Sequence, residues 1–136
     1  KQPGELPNIE RWFACDDFTA PMASGSSLYD AMIVLPCTTG TLGAIAAGYS
    51  GNLIHRAADV CLKERRPLIL AVRETPFNRT HLTNMLRAHE AGAIIFPPMP
   101  SFYQKPRSLE EMARNFAGRL CDQIGIRVAG MNRWGS

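Results

Sequence analysis

Three short, uninterrupted apolar runs constrain the fold of this 136-residue chain more than any other feature. They are residues 31–36 (AMIVLP), 67–72 (PLILAV) and 93–96 (AIIF), and segments with helical spacing separate them. A continuous apolar run of this length is typical of a strand buried on both faces of a parallel sheet. Because parallel strands need long crossover connections, which helices usually supply, the alternation predicts an α/β fold.

The segments around these runs predict four helices. Small residues over 42–48 predict a tightly packed helix start. Residues 52–64 predict a helix with one apolar face, made of Leu53, Ile54, Ala57, Ala58, Cys61 and Leu62. Residues 80–91 predict a third helix, which ends before Gly92 and has three residues facing inward: Leu82, Met85 and Leu86.

A capping box predicts the start of the last helix, since Ser108 is followed three residues later by Glu111. That helix ends near Gly125, and its apolar face carries Leu109, Met112, Phe116 and Leu120. Residues 1–30 are rich in Pro, Gly and Ser and show no periodicity.

Length and composition predict a single domain over residues 1–136. The chain is 46% hydrophobic and 20% charged, which argues against disorder and coiled coil. No apolar run approaches the roughly 18 residues that a membrane span needs, and the first residues lack the apolar core of a signal peptide. We therefore expect a cytoplasmic protein without a membrane span.

The polar composition favours an anionic ligand over a metal or a nucleic acid. Four irregularly spaced cysteines and three histidines form no metal-ligand motif, so we expect no metal and reduced thiols. The net charge of +3 is small, and no interleaving of aromatic and basic residues indicates nucleic-acid binding. Twelve of the fifteen cationic residues are Arg, the residue favoured where phosphate is bound through two hydrogen bonds.

Polar residues follow each apolar run where the strand would end. These segments are residues 37–41 (CTTGT), 73–76 (RETP) and 97–103 (PPMPSFY). Ligands of open parallel sheets bind beyond the carboxyl ends of the strands, so this edge is the predicted site.

Two interpretations are open for each of these segments. The hydroxyls and N–H groups of TTGT can hold an anion at a helix N-terminus or simply cap the helix. Arg73 and Glu74 can bind phosphate and transfer a proton, or form a structural ion pair.

Other candidate residues also have structural alternatives. Ser24-Gly25-Ser26 forms a phosphate loop or an ordinary turn, and residues 63–66 (KERR) read as a polar helix end. Arg56 occupies a helix position that is typical of a solvated side chain, and Arg119 one that is typical of a side chain at the edge of the core. Tyr103 either contacts a ligand or packs on the surface as a loop aromatic.

Taken together, these segments resemble the UbiX-type flavin prenyltransferases. The resemblance runs from Ser24 onward through SGS, MIVLPCTTGTL, RAADVCLKERRPLILAVRETP, AGAIIFPPMPSFY, SLEEM and GRLCDQIGI. It implies a Rossmann-like, flavodoxin-like three-layer fold. It also implies metal-independent transfer of a dimethylallyl group from dimethylallyl phosphate to N5 and C6 of reduced FMN.

The resemblance also implies roles for individual residues. The residues implied to bind FMN are Ser26, Thr38, Thr39, Gly40, Thr41 and Arg73. Those implied to bind dimethylallyl phosphate are Tyr103, Arg119 and Lys63, the last across a subunit interface. Arg56 and Glu74 are implied to line the reaction site as catalytic residues, and Trp134 matches a shared Trp.

Partners are implied in the same way. Family members form trimer-based dodecamers, and their prenylated FMN serves UbiD-type decarboxylases, some of them in ubiquinone biosynthesis. The sequence leaves open whether the donor is dimethylallyl phosphate or the diphosphate, and which pathway the product serves.

The resemblance has one departure. The family pattern begins with a strand, a GASG loop, a helix, a second strand and a glutamate, which this sequence lacks. We therefore expect the intact protein to be the enzyme, and these 136 residues by themselves, without the first βαβ unit, to bind FMN weakly and to be inactive. We also expect the sheet to expose an edge and an apolar face. The alternative functions are an FMN-dependent cysteine decarboxylase of a related family and a non-catalytic FMN-binding fragment.

Overall fold

A computed structural model describes residues 7–131, and its centre is a parallel sheet of three strands. The strands are β1 (Met32–Cys37), β2 (Leu68–Val72) and β3 (Ile94–Ile95), in the order β1-β2-β3. In the register, Met32 lies opposite Leu68 and Ile69 lies opposite Ile94. All three predicted strands and their parallel pairing are confirmed.

Four α-helices connect and follow the strands. They are α1 (Thr39–Ala46), α2 (Leu53–Lys63), α3 (Arg79–Glu90) and α4 (Leu109–Asp122). Each begins after a residue whose side-chain oxygen accepts a backbone N–H bond of the first turn, and these caps are Thr38, Asn52, Asn78 and Ser108. Helix α1 starts three residues before the position that the small-residue pattern predicted. None of the helices in this part of the chain has the length and hydropathy to cross a membrane.

The hydrophobic core lies between one face of the sheet and helices α1 to α3. Leu68, Leu70 and Val72 alternate along β2 and share a cluster with residues of those helices: Leu42, Ile45, Ala58, Cys61 and Ala88. The predicted apolar face of α2 is confirmed, since Leu53, Ala57, Ala58 and Cys61 are buried and Ile54 and Leu62 pack against the cluster. This packing fixes the ends of β1 and β2 against the first turn of α1.

Two burial predictions are wrong. Within the described residues strand β1 pairs with β2 alone, so it is an edge strand of the sheet there, and Leu35 is 54% exposed rather than buried. Helix α3 packs through Met85 and Ala88, while Leu82 and Leu86 lie on its neighbouring face and are exposed. No described part of the chain covers that face, and periodicity alone could not reveal this.

Only half of the predicted capping box of α4 forms. The Ser108 hydroxyl accepts a bond from the Glu111 N–H at 3.1 Å, as predicted. The Glu111 carboxylate instead accepts a bond from the Arg107 N–H at 2.7 Å, one residue before the cap. Leu109 is also exposed, whereas Leu120 is buried and Phe116 packs against Phe96 with ring centroids 5.6 Å apart.

The segment before β1 runs alongside α2. Cys15 O accepts a bond from Leu53 N near the start of the helix, and Ser27 O accepts one from Arg66 just beyond its end. This segment therefore passes along the whole helix before the chain enters the sheet.

Candidate functional site

The ends of β1 and β2 bring two of the predicted segments side by side. The Arg73 N–H donates to Cys37 O at 3.4 Å, so the residue after β2 lies next to the residue before Thr38. Parallel pairing thus places Thr38–Thr41 and Arg73–Glu74 at one edge of the sheet. The predicted position of the site is consistent with this arrangement.

The first turn of α1 combines a helix cap with an open backbone surface. Thr38 Oγ1 accepts a bond from the Thr41 N–H at 3.1 Å and lies 3.1 Å from the Thr41 hydroxyl, so Thr38 does cap the helix. A Cβ at Gly40 would contact only Thr38 Oγ1, at 3.8 Å, so the fold itself leaves space beside this residue. The turn can therefore admit a ligand close to its backbone.

Arg73 and Glu74 do not form the structural ion pair that was the alternative interpretation. The Glu74 carboxylate accepts a bond from the Thr75 N–H at 2.9 Å. Among residues 7–131, no acidic side chain pairs with Arg73, whose guanidinium is exposed. A cation at this edge is thus available for an anionic ligand.

A cleft of about 300 Å³ opens at the same edge. It is lined by Val72, Arg73, Glu74, Thr75, Phe77, Pro97, Pro98 and Met99. Pro98 and Met99 also line an adjoining apolar groove of about 250 Å³, which extends to Phe116 of α4. The site therefore joins charged groups to an apolar surface, as sites for small molecules usually do.

The other predicted residues lie along α2. Arg56 donates through Nε to Ala23 O at 3.0 Å and pairs with Asp59 at 3.4 Å. Lys63 forms an ion pair with Glu64, and the hydrogen bond and charge of Lys63 lower the pKa of the Glu64 carboxyl. The hydroxyl of Ser26 lies 2.9 Å from that of Ser24, in the segment alongside the helix.

The predicted site residues fall into two groups, which one chain does not bring together. The first group lies at the carboxyl ends of the strands (Thr38–Thr41, Arg73 and Glu74), and the second lies along α2 (Ser26, Arg56 and Lys63). Helices α1 and α2 together connect the end of β1 to the start of β2. Helix α2 is about 16 Å long, and only residues 64–67 separate its last residue, Lys63, from β2. Lys63 therefore lies near the start of β2, at the amino-terminal ends of the strands, whereas Thr38 and Arg73 lie at their carboxyl ends.

Comparison with known proteins now assigns the chain to a family. The family model described as "Flavoprotein" matches residues 9–114. A flavin prenyltransferase UbiX of Methanothermobacter thermautotrophicus is 51% identical over 134 residues, which cover 98% of this chain and 70% of that protein. The chain belongs to the UbiX flavin prenyltransferases of the flavoprotein family.

Other UbiX proteins and their structures agree. The Pseudomonas aeruginosa flavin prenyltransferase UbiX is 50% identical over 125 residues, which cover 92% of this chain and 60% of that protein. A crystal structure of AnUbiX (PadA1) in complex with FMN and dimethylallyl pyrophosphate matches with a TM-score of 0.87 and 47% identity. The alignment covers 90% of this chain and 65% of the chain in that structure.

A dodecameric FMN-dependent UbiX-like decarboxylase from Escherichia coli O157:H7 is also similar. It matches with a TM-score of 0.85 and 42% identity, over 90% of this chain and 66% of that one. The chain thus spans about two thirds of the length of these relatives, and the predicted α/β fold class is confirmed.

Tyr103 and Arg119, the two remaining predicted site residues, lie in separate elements of the fold. Tyr103 lies in a single 3-10 turn (Phe102–Gln104), and 73% of the residue is exposed. Arg119 lies in the last turns of α4 and pairs with Asp122 at 3.4 Å. Trp134 lies outside the described residues.

Sequence reasoning missed the contacts of Arg66. The run KERR indicated only a polar helix end, but the Arg66 guanidinium donates at 2.7 Å to both Ser27 O and Gly25 O. The latter lies 41 positions away in the sequence, so no local spacing could predict the contact. In the part of the chain that the structure describes, no group of three or more His, Cys, Asp or Glu could hold a metal ion.

Proposed function

We propose that the protein carrying this chain is a flavin prenyltransferase. It binds reduced FMN and transfers a dimethylallyl group from dimethylallyl phosphate to the flavin. Family membership supports this activity, as does the similarity to a structure solved with FMN and dimethylallyl pyrophosphate. The observation that carries the proposal is the position of Arg73 beside the first turn of α1, at the end of two parallel strands, with no ion-pair partner among residues 7–131.

The residues at this edge suit an anionic cofactor. Gly40 has open space where a side chain would stand, and Arg73 offers planar donors that match a phosphate group. The proposed FMN-binding residues are Thr38, Thr39, Gly40, Thr41 and Arg73, with Ser26 from the second group. When bound, FMN supplies the N5 and C6 atoms to which the dimethylallyl group is attached.

The donor needs cations for its leaving phosphate. In a reaction without a metal ion, Lys63, Arg119 and the Tyr103 hydroxyl supply the positive charge and the donors that stabilise the departing phosphate. Arg56 adds a further cation on α2, seven residues and about two turns before Lys63. Glu74 is the proposed base that accepts the proton lost from C6 when the ring regains its aromaticity.

The separation of the two groups of residues supports a site shared between subunits. In one chain Lys63 and Arg73 lie at opposite ends of the strands. We therefore propose that Ser26, Arg56 and Lys63 serve the site of a neighbouring copy. A trimer-based homo-oligomer, such as a dodecamer, would bring them together. A UbiD-type decarboxylase that uses the product, ubiquinone biosynthesis and a cytoplasmic location are parts of the same proposal.

The deciding experiment is anaerobic incubation of the protein with reduced FMN and dimethylallyl phosphate, followed by mass analysis of the released flavin. A gain of one five-carbon unit supports the proposal. Retained but unmodified FMN contradicts it and favours a decarboxylase or a passive flavin-binding protein. Trapping of carbon dioxide released from a cysteine-containing substrate then separates those two alternatives.

The role of Glu74 has its own test. Glu74→Gln keeps the shape of the side chain and its acceptor oxygen but removes the basic carboxylate. We expect the first bond to the flavin to form and ring closure to slow by about 100-fold, which is a typical contribution of a positioned base. Ring closure at the normal rate in this variant would refute the role.

A further inference from the structure

The turn that carries Ser26 is fixed from one side by Arg66. The two terminal nitrogens of the Arg66 guanidinium donate to Ser27 O and Gly25 O, both at 2.7 Å. These carbonyls belong to the residues on either side of Ser26. A planar guanidinium matches two neighbouring carbonyls with separate donors, whereas the ammonium of lysine cannot reproduce that geometry.

The bond to Gly25 O also determines where the Ser26 N–H points. In a planar trans peptide the N–H lies on the opposite side from the C=O. Since the Gly25 carbonyl faces Arg66, the Ser26 N–H faces away from it and lies 3.4 Å from the Ser24 hydroxyl oxygen. That oxygen is in turn 2.9 Å from the Ser26 hydroxyl.

The same turn lies against Lys63. A Cβ on Gly25 would collide with the ends of the Lys63 and Glu64 side chains, so Gly25 allows the turn to approach their ion pair closely. Arg66 therefore holds a serine turn, with its N–H and hydroxyl groups, next to an ammonium group. Hydroxyl and N–H donors next to an ammonium form a suitable environment for a phosphomonoester.

We propose that Arg66 is a positioning residue, which holds the Ser24–Ser27 turn so that Ser26 and Lys63 bind one phosphomonoester together. This inference rests on the proposed function, in which Ser26 serves FMN and Lys63 serves dimethylallyl phosphate, and it revises that division by giving both residues to one of these two phosphomonoesters. The terminal nitrogens of Arg66 are engaged by Gly25 and Ser27, so its hydrogen bonds hold the turn and do not reach the ligand.

The test compares Arg66→Gln with Arg65→Gln in the intact protein. Arg65 is the adjacent residue, is exposed and carries the same charge, so it is a matched control. The readouts are the Kd for FMN and the KM and kcat for dimethylallyl phosphate. We expect Arg66→Gln to raise one of the two binding constants about tenfold, equal to about 1.4 kcal/mol, with kcat within about twofold. The affected constant identifies the phosphomonoester, and Arg65→Gln leaves both unchanged.

Coupling to Ser26 separates positioning from general destabilisation. If Arg66 acts through the turn, Arg66→Gln changes the same constant by less than about twofold in a Ser26→Ala background, because the group it positions is already gone. Equal effects of Arg66→Gln and Arg65→Gln, or full additivity with Ser26→Ala, would overturn the inference. Should Arg66→Gln fail to fold, Arg66→Lys decides the question, and a Lys variant with wild-type constants also overturns it.

A measurement without ligands distinguishes failure of this inference from failure of the proposed function. Hydrogen–deuterium exchange of residues 24–28 is expected to be about tenfold faster in Arg66→Gln than in Arg65→Gln. Unchanged exchange refutes the role of Arg66 whatever the activity of the protein. Faster exchange in a protein that binds neither phosphomonoester leaves the clamp established, but refutes both the proposed function and the binding role.

Discussion

Arg73→Gln provides the sharpest test of the strand-end site. In the described part of the chain the Arg73 guanidinium is exposed and has no ion-pair partner, so its removal breaks no interaction of the folded protein. We therefore expect the free energy of unfolding to change by less than about 0.5 kcal/mol. Hydrogen bonds from a charged donor contribute about 1.5–3 kcal/mol, so loss of the contact raises the Kd for FMN roughly 10- to 150-fold.

The assay is titration of the protein with FMN, followed by flavin fluorescence, together with urea denaturation of the same preparation. Riboflavin, which lacks the phosphate, is the control ligand, and its Kd is expected to be the same in the variant and the wild type. Arg87→Gln is the control variant, because Arg87 is an exposed cation in the last turn of α3, away from the strand ends.

Two results would refute the reasoning about Arg73. One is a Kd for FMN within twofold of the wild-type value, which would mean that the guanidinium does not contact the cofactor. The other is a loss of stability that matches the loss of affinity, which would mean that Arg73 supports the fold. Arg73→Lys should give an intermediate Kd, since it keeps the charge without the two-pronged geometry.

Three further predictions concern the core, pH and the serine turn. Leu70→Ala, at a fully buried position of the central strand, should cost about 2–5 kcal/mol in urea denaturation; Leu28→Ala, at a residue 93% exposed, should cost less than about 0.5 kcal/mol, and equal losses would contradict the described core. Burial raises the pKa of the Cys37 thiol from its ordinary value of 9.0 to about 11. The folded thiol thus keeps a proton that the unfolded one loses. The free energy of unfolding therefore begins to fall near pH 9, and the total fall reaches about 2.7 kcal/mol once the pH has passed 11. Cys37→Ala should lack this fall, and an unchanged slope would disprove the cause. Gly25→Ala should displace Lys63 and raise the KM for dimethylallyl phosphate with little loss of stability, because the atoms it meets are flexible side-chain ends. Gly48→Ala should instead lower the free energy of unfolding by about 1 kcal/mol, because the backbone there has a φ of +69°, and should leave the KM unchanged. The same change in stability and in KM for both variants would argue against this account.

Local sequence signals predicted the elements of the fold with small errors. Helix caps can be recognised because a side-chain oxygen bonds an N–H only three residues away, as Asn52 does with His55. The apolar face of α2 was also predictable, since one helix buries residues at a fixed spacing. The prediction failed for Leu82 and Leu86, whose burial depends on what lies opposite them and not on their spacing.

The strand-end site was predictable for a similar reason. Residues that follow parallel strands meet at one edge, so the sequence order alone placed Thr38–Thr41 near Arg73. The sequence could not determine whether Arg73 and Glu74 pair with each other, because adjacent side chains can point in different directions. The structure resolves this point: the Glu74 carboxylate accepts a bond from the Thr75 N–H, and no acidic side chain between residues 7 and 131 pairs with Arg73.

The sequence by itself determined the α/β class, the strand order along the chain, the starts of α2, α3 and α4 to within a residue, and the polar segments at the carboxyl ends of the strands. Each of these follows from interactions between residues close in sequence or from the geometry of parallel crossovers. Only the tertiary structure decided which helix faces remain uncovered, that Lys63 lies opposite Arg73, and that Arg66 clamps a turn 41 positions away. These features depend on contacts between distant segments, and distance in space has no counterpart in the spacing of residues along a chain.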